Sequence, residues 1–147
     1  MPRSGPSPTL PHVALDTSAY SHLRRGHTAV IDIIACAEVV ELCATVLGEL
    51  EAGFRLGSRY QENIETLEEF LREPFVRTEP LAETAARRYS VLFATLRRNG
   101  TPIPVNDIWI ASAALTTGAH LITFDSDFQK IPSLPHTLLK SRPDSSA

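Results

Sequence analysis

Long hydrophobic runs are missing from this sequence. The longest uncharged apolar stretch near a candidate helix, Ile108–Leu115, falls far short of the roughly 20 residues that span a bilayer, so no membrane helix is expected. Cysteine is scarce as well. Cys36 and Cys43 are the only two; they lie in apolar stretches without Cys-x-x-Cys spacing, and read as reduced core thiols of a cytoplasmic protein. There is no excess of basic charge: the formal net charge of −3 excludes holding nucleic acid by bulk electrostatics. It leaves room for an RNA enzyme whose acidic site is offset by metal ions. Paired histidine ligands are absent too: His12, His22, His27, His120 and His136 show no metal spacing, and each reads as a surface or packed side chain. No repeat and no linker divides the chain. Met1–Pro11, with four prolines and no apolar signal core, reads as a flexible leader, and Ser141–Ala147 as a polar tail. One domain over residues 12–140 remains, large enough to bury a continuous core without staples.

What is present is an alternation of short β-like runs with longer helical ones. His12–Asp16 is a short apolar strand ending on an acid, followed by helical stretches Ser18–Arg25 and Thr28–Cys36. Val39–Ala44 reads as a second strand. Thr45 then suits the cap of a helix over Val46–Leu56, with Gly57 as its stop. Tyr60–Arg72 carries Ile64, Leu67, Phe70 and Leu71 on one face, and Phe75–Thr78 reads as a short third strand. Leu81–Arg98 has the clearest apolar stripe, closed by Asn99-Gly100. Asn106 suits the cap of a helix over Asp107–Thr117, ended by Gly118. His120–Phe124 is a buried-type strand running into Asp125, and a last strand is expected around Thr137–Lys140. Strands separated by helices make parallel βαβ units, hence an α/β sandwich with a central parallel sheet flanked by helices.

That architecture gives the acids a meeting place, because open parallel sheets bind ligands beyond the carboxyl ends of their strands. Asp16 ends the first strand and Asp125 follows a later one, so both emerge at that edge. Asp107 opens a helix. Glu49 lies in the first turns of the helix leaving the second strand, which begins at the same edge. Each acid alone has an ordinary explanation as a cap, a dipole partner or a turn residue; the set does not. Four buried carboxylates would repel one another by several kcal/mol without cations, and all-oxygen ligation favours Mg²⁺ or Mn²⁺. Glu49 and Glu51 sit two apart and point to nearly opposite sides of a helix; Glu49 is chosen, with Glu51 the solvated alternative. Asp127 follows Asp125 by two and is a further candidate ligand.

Four segments, LDTSAY (Leu15–Tyr20), TVLGELEAGF (Thr45–Phe54), PVNDIWIASAAL (Pro104–Leu115) and LITFDSDF (Leu121–Phe128), resemble in order and spacing the successive motifs of PIN domains, and within them the VapC-like group. The resemblance covers essentially the whole of residues 12–140. It implies that the family's acidic quartet maps onto Asp16, Glu49, Asp107 and Asp125, with Thr17, Ser18 and Thr123 as small hydroxyl residues near the metal. It further implies a metal-dependent endoribonuclease acting on single-stranded or loop RNA, a homodimer, and a VapB-like antitoxin that blocks the groove. The Asn106-Asp107 pair departs from the polar pairs of many relatives, and the leader is longer than usual. In that reading, metal-activated water attacks phosphorus in line and leaves a 5′-phosphate.

Arg24, Arg25 and Arg55 adjoin the acidic edge and are expected to contact RNA or antitoxin, as is Arg59. Arg87-Arg88 and Arg97-Arg98 read as a solvated helix face, and Trp109 and Tyr20 as core or dimer contacts. The segment FDSDF resembles the opening motif of haloacid-dehalogenase-type phosphatases, but too little chain follows it. A phospho-receiver domain would need paired acids after the first strand, where Asp16 is followed by Thr17. A PIN-fold module that binds RNA or protein without cutting is the alternative that survives, and the intact quartet argues against it.

Overall fold

The computed structural model describes residues 9–141. The leader apart from residues 9–11, and the tail apart from Ser141, lie outside the described residues. In chain order the elements are β1 (His12–Leu15), α1 (Thr17–Arg24), α2 (Thr28–Cys36), β2 (Val39–Cys43), α3 (Ala44–Leu56), α4 (Tyr60–Leu71), β3 (Val76–Glu79), α5 (Glu83–Arg98), α6 (Val105–Thr117), β4 (His120–Thr123) and β5 (His136–Leu138), with a 3-10 turn at Ser126–Lys130 before β5. Among the described residues no helix is long and apolar enough to cross a membrane.

All five strands are parallel, in the order β3-β2-β1-β4-β5. The chain lays β2 and β3 to one side of β1, then returns to add β4 and β5 on the other. This reversal opens a crevice at the carboxyl ends of the central strands, which is where such sheets receive ligands. The central strands β1, β2 and β4 are buried along nearly their whole length, as expected of a parallel sheet covered by helices on both faces. The outer strands β3 and β5 are largely half-buried or exposed. α6 is buried nearly all round through Ile108, Ile110, Ala111, Ser112, Ala113 and Ala114, so its sequence shows no amphipathic stripe. It packs along α5, and Gly118 ends it in the left-handed region at φ 78°, a conformation only glycine adopts cheaply.

Four local expectations differ from the structure. Cys43, not Thr45, occupies the cap position of α3, because β2 passes into the helix without an intervening loop. Pro104, with φ −55°, precedes α6, so Asn106 lies inside the first turn and its amide is free for other work. α5 begins at Glu83, two residues after the expected Leu81; Leu81 still packs on the core from the loop. Cys36 is exposed and Cys43 alone is a core thiol, since of α2 only Val30 is fully buried.

The apolar centre also holds one acid that sequence pattern did not single out. Glu41 of β2 is 1% exposed; one carboxylate oxygen meets His12 Nε2 at 2.7 Å and the other accepts from the Thr117 hydroxyl at 3.1 Å. Burial raises its carboxyl above the usual range, opposed by these two partners and reinforced by Glu79. The contacts tie the start of β1 and the end of α6 to the middle of β2. Replacing Glu41 with Ala removes the acceptor of both donors and is expected to cost about 2 kcal/mol in urea unfolding at neutral pH. Glu41→Gln, which retains an acceptor, should lose less than half of that; equal losses would show that cavity formation, not hydrogen bonding, dominates.

Candidate active site

Asp16 leaves β1 and serves as the cap of α1. Its Oδ1 accepts from the Ala19 amide at 2.8 Å and from the Ser18 hydroxyl at 2.7 Å, while Oδ2 accepts from the Thr123 hydroxyl. The same two hydroxyls accept in turn: Ser18 from the Phe124 amide at 3.1 Å, Thr123 from the Asp125 amide at 2.9 Å. Asp16 thus locks the β1–α1 junction to the end of β4, and the carboxylate is held in one orientation. Burial pushes its carboxyl up; the three donors oppose that, and the Asp125 charge adds to it.

Glu49 sits in the second turn of α3 and is clamped from two sides. The Thr17 hydroxyl donates to Oε1 at 2.5 Å and the Asn106 amide to Oε2 at 3.0 Å. Glu51 reaches instead toward Arg55, at 3.9 Å on the exposed face. Asp125 caps the 3-10 turn, with Oδ1 accepting from the Asp127 amide at 2.9 Å. That turn swings Asp127 back beside Asp125 and opposite Asp107, which lies in the first turn of α6. One oxygen from each of Asp107, Asp125 and Asp127 lies within 4.8 Å of the others.

These acids face a cleft of about 590 Å³ lined by Asp16, Thr17, Ser18, Glu49, Asp107 and Asp125, with Gly53 in its wall. A Cβ built on Gly53 would meet nothing within 4 Å; the open wall leaves room for a large ligand. Among the described residues the one basic side chain paired with any of these acids is Lys130, 3.3 Å from Asp127. The accumulated charge shows on Asp107, whose carboxyl is pushed up to about 7 by burial and then by Asp125, Asp127, Glu49 and Asp16. An oxygen-only group of this kind fits a hard divalent cation. The closest grouping comprises Asp107, Asp125 and Asp127; Asp16 and Glu49 line the same cleft, with their oxygens engaged by hydroxyl and amide donors.

The expected arginines are placed differently. Arg24 and Arg25 line a neighbouring groove together with Arg59, whereas Arg55 lies over the Tyr60 ring at 4.6 Å. Trp109 is half-buried, stacked on Tyr89 with ring centroids 4.1 Å apart; Tyr20 is buried against Phe70. The clamp formed by Asn106 escaped the sequence reading. Its only signal was position: an amide at the start of a helix that abuts the edge where Glu49 emerges.

A carboxyl whose pKa is raised on folding holds its proton more tightly in the folded chain than in the unfolded one. Its contribution is therefore favourable at acid pH and is lost as pH rises through the folded value. The metal-free protein should accordingly lose thermal stability as pH rises from about 4 to about 7, and Asp107→Asn should flatten that decline. Mn²⁺ should raise Tm more at the upper end, where Asp107 is ionised, than at the lower. A larger Mn²⁺ effect at acid pH would contradict Asp107 as a ligand.

The PIN domain family model matches residues 13–134. Ribonuclease VapC5 of Mycobacterium tuberculosis is 27% identical over 114 residues, covering 78% of this chain and 83% of that protein. The structure of VapBC-1 from nontypeable Haemophilus influenzae aligns with a TM-score of 0.75 at 26% identity, covering 86% of this chain and 96% of that one. VapBC-5 from Mycobacterium tuberculosis, a member of the VapBC family of toxin–antitoxin systems, aligns with a TM-score of 0.66 at 25% identity over 87% of this chain and 97% of that one. With the match running from β1 past β4 and including every acid of the cleft, the chain belongs to the PIN domain family, and the members it resembles are of the VapC type.

Proposed function

We propose that the chain is a Mg²⁺- or Mn²⁺-dependent endoribonuclease that cuts single-stranded or looped RNA in the cytoplasm, as the toxin of a VapBC-type pair. The observation that carries this reading is the cleft itself. Asp16, Glu49, Asp107 and Asp125 line it, Asp127 joins the grouping, and among the described residues one lysine is paired with them. A phosphodiester would be repelled from such a surface, and a divalent cation reconciles the two. When bound, that ion supplies a water of lowered pKa and charge to offset that of the leaving oxygen.

The chain's own residues do the positioning. Asp107, Asp125 and Asp127 present the oxygens that would hold the ion. Asp16 is fixed by Ser18, Ala19 and Thr123 so that its carboxylate cannot rotate away. Glu49, clamped by Thr17 and Asn106, keeps its charge toward the cleft. The similarity to VapBC structures supports a VapB-like antitoxin as partner. A homodimer is part of the same reading, and rests on the likeness to VapC-type proteins alone.

Total RNA incubated with the partner-free protein in Mg²⁺, Mn²⁺ or EDTA tests the reading. Discrete, metal-requiring cleavage with 5′-phosphate and 3′-hydroxyl ends is expected, reduced by at least about a hundredfold in Asp107→Asn. Asp107→Asn is the cleaner variant, because Asp16 also caps α1 and accepts from Thr123. Ends carrying a 2′,3′-cyclic phosphate, or full activity in that variant, would remove the proposed mechanism. No cleavage by folded, metal-loaded protein would favour a PIN-fold module that binds without cutting.

A further inference from the structure

Three aromatic rings meet beside the acidic cleft, at the junction where Asp16 and Asp125 leave their strands. His22 lies one turn beyond Ser18 on α1, and its ring stacks on Phe124 with centroids 3.8 Å apart and planes 14° from parallel. His27, between α1 and α2, closes the group edge-on, 5.0 Å from Phe124 and 5.7 Å from His22. All three are half-buried. Backbone carbonyls orient both imidazoles. A carbonyl only accepts, so His22 donates from Nδ1 to the Ser18 carbonyl at 2.9 Å, and His27 from Nε2 to the Lys140 carbonyl at 2.9 Å.

Phe124 is the single residue between two parts of the site. Before it stands Thr123, whose hydroxyl donates to Asp16; after it stands Asp125, which caps the turn carrying Asp127. The Phe124 amide donates to the Ser18 hydroxyl at 3.1 Å, and that hydroxyl donates in turn to Asp16 at 2.7 Å. His22 therefore grips the junction twice, by ring contact with Phe124 and by its bond to Ser18. Rotation of the backbone at Phe124 would turn Asp125 away from Asp107 and Asp127, and a stacked ring resists that rotation. An apolar side chain at position 22 would cover Phe124 as well; the imidazole adds a bond that ties the cover to Ser18.

We propose that His22 is a positioning residue for the cation site, holding Asp125 and Asp16 in one mutual geometry through Phe124 and Ser18. This role rests on the reading of the cleft as a divalent-cation site, and adds a residue beyond the acids and the hydroxyls that hold them. Groups that orient metal ligands without touching the metal govern affinity by about ten- to a hundredfold.

The test titrates the metal-free protein with Mn²⁺ alone, following the electron paramagnetic resonance of the free ion, at a pH above about 7, where Asp107 is ionised. His22→Ala should weaken Mn²⁺ binding by about tenfold. His22→Phe keeps a ring on Phe124 without the Nδ1 donor, and should bind within about threefold of wild type. Phe124→Leu fills the space without a flat face for His22 and should weaken binding as His22→Ala does; the two changes together should cost little more than either alone. Glu41→Ala, whose lost partners are His12 and Thr117, loses stability without touching this junction, and its Mn²⁺ Kd should match that of wild type. Equal Kd in His22→Ala and wild type overturns the proposal, whatever happens to Tm. So does a loss that Glu41→Ala shares, which marks general loosening. Should His22→Ala not fold, Phe124→Leu decides: unchanged Mn²⁺ affinity there overturns the proposal. A wild type that binds no Mn²⁺ defeats this inference together with the metal reading. Weakened Mn²⁺ binding in the variants, beside a wild type that cuts no RNA, leaves His22 in its role and defeats the nuclease reading alone.

Discussion

Mutual repulsion among carboxylates is the constraint on which the rest of the site depends. Five acids from four segments are held at one edge of a parallel sheet, in a setting that pushes Asp107 up to about 7. Three of these acids are anchored by donors on other groups. Asp16 is held by a backbone amide and two hydroxyls, Glu49 by a hydroxyl and an amide side chain, and Asp125 by the turn it caps. These donors do not neutralise the cluster; they fix its geometry, at a cost in stability that the buried sheet beneath offsets.

The location of the site was legible because it follows from topology. Once the strands read as parallel, the carboxyl ends of β1 and β4 had to share an edge, and Asp16 and Asp125 with them. Glu49 followed from the alternation of faces on a helix, with Glu51 turned outward to Arg55. Details set by one or two dihedral angles were not legible. Thr45 and Asn106 have the composition of caps, yet the chain enters α3 directly from β2 and enters α6 through Pro104, so neither side chain is where a cap belongs. The 3-10 turn that carries Asp127 back to Asp107 is likewise a matter of local geometry. Burial misled at two places. Apolar composition marked Cys36 for the core, but α2 leaves most of its face uncovered. Glu41, in the middle of VVELC, gave no periodic signal, because a strand buried on both faces has no polar side on which to expect an acid.

Charge is segregated on a scale shorter than the whole molecule. The formal net charge of −3 describes a protein that should be indifferent or averse to a polyanion, and over distances beyond a Debye length of about 10 Å that is how it would behave. Within that distance the sum no longer governs. α1 has one acid, its cap Asp16, and small hydroxyls at its start, and Arg24 and Arg25, without a carboxylate partner among the described residues, at its end, so a helix of eight residues presents opposite electrostatic character at its two ends. The helix dipole would favour this order for the arginines and disfavour nothing at Asp16, which caps the N-terminus where negative charge is welcome. With Asp16 capping one end of this rigid element and Arg24 and Arg25 at the other, the helix fixes the distance between the acidic edge and the basic patch.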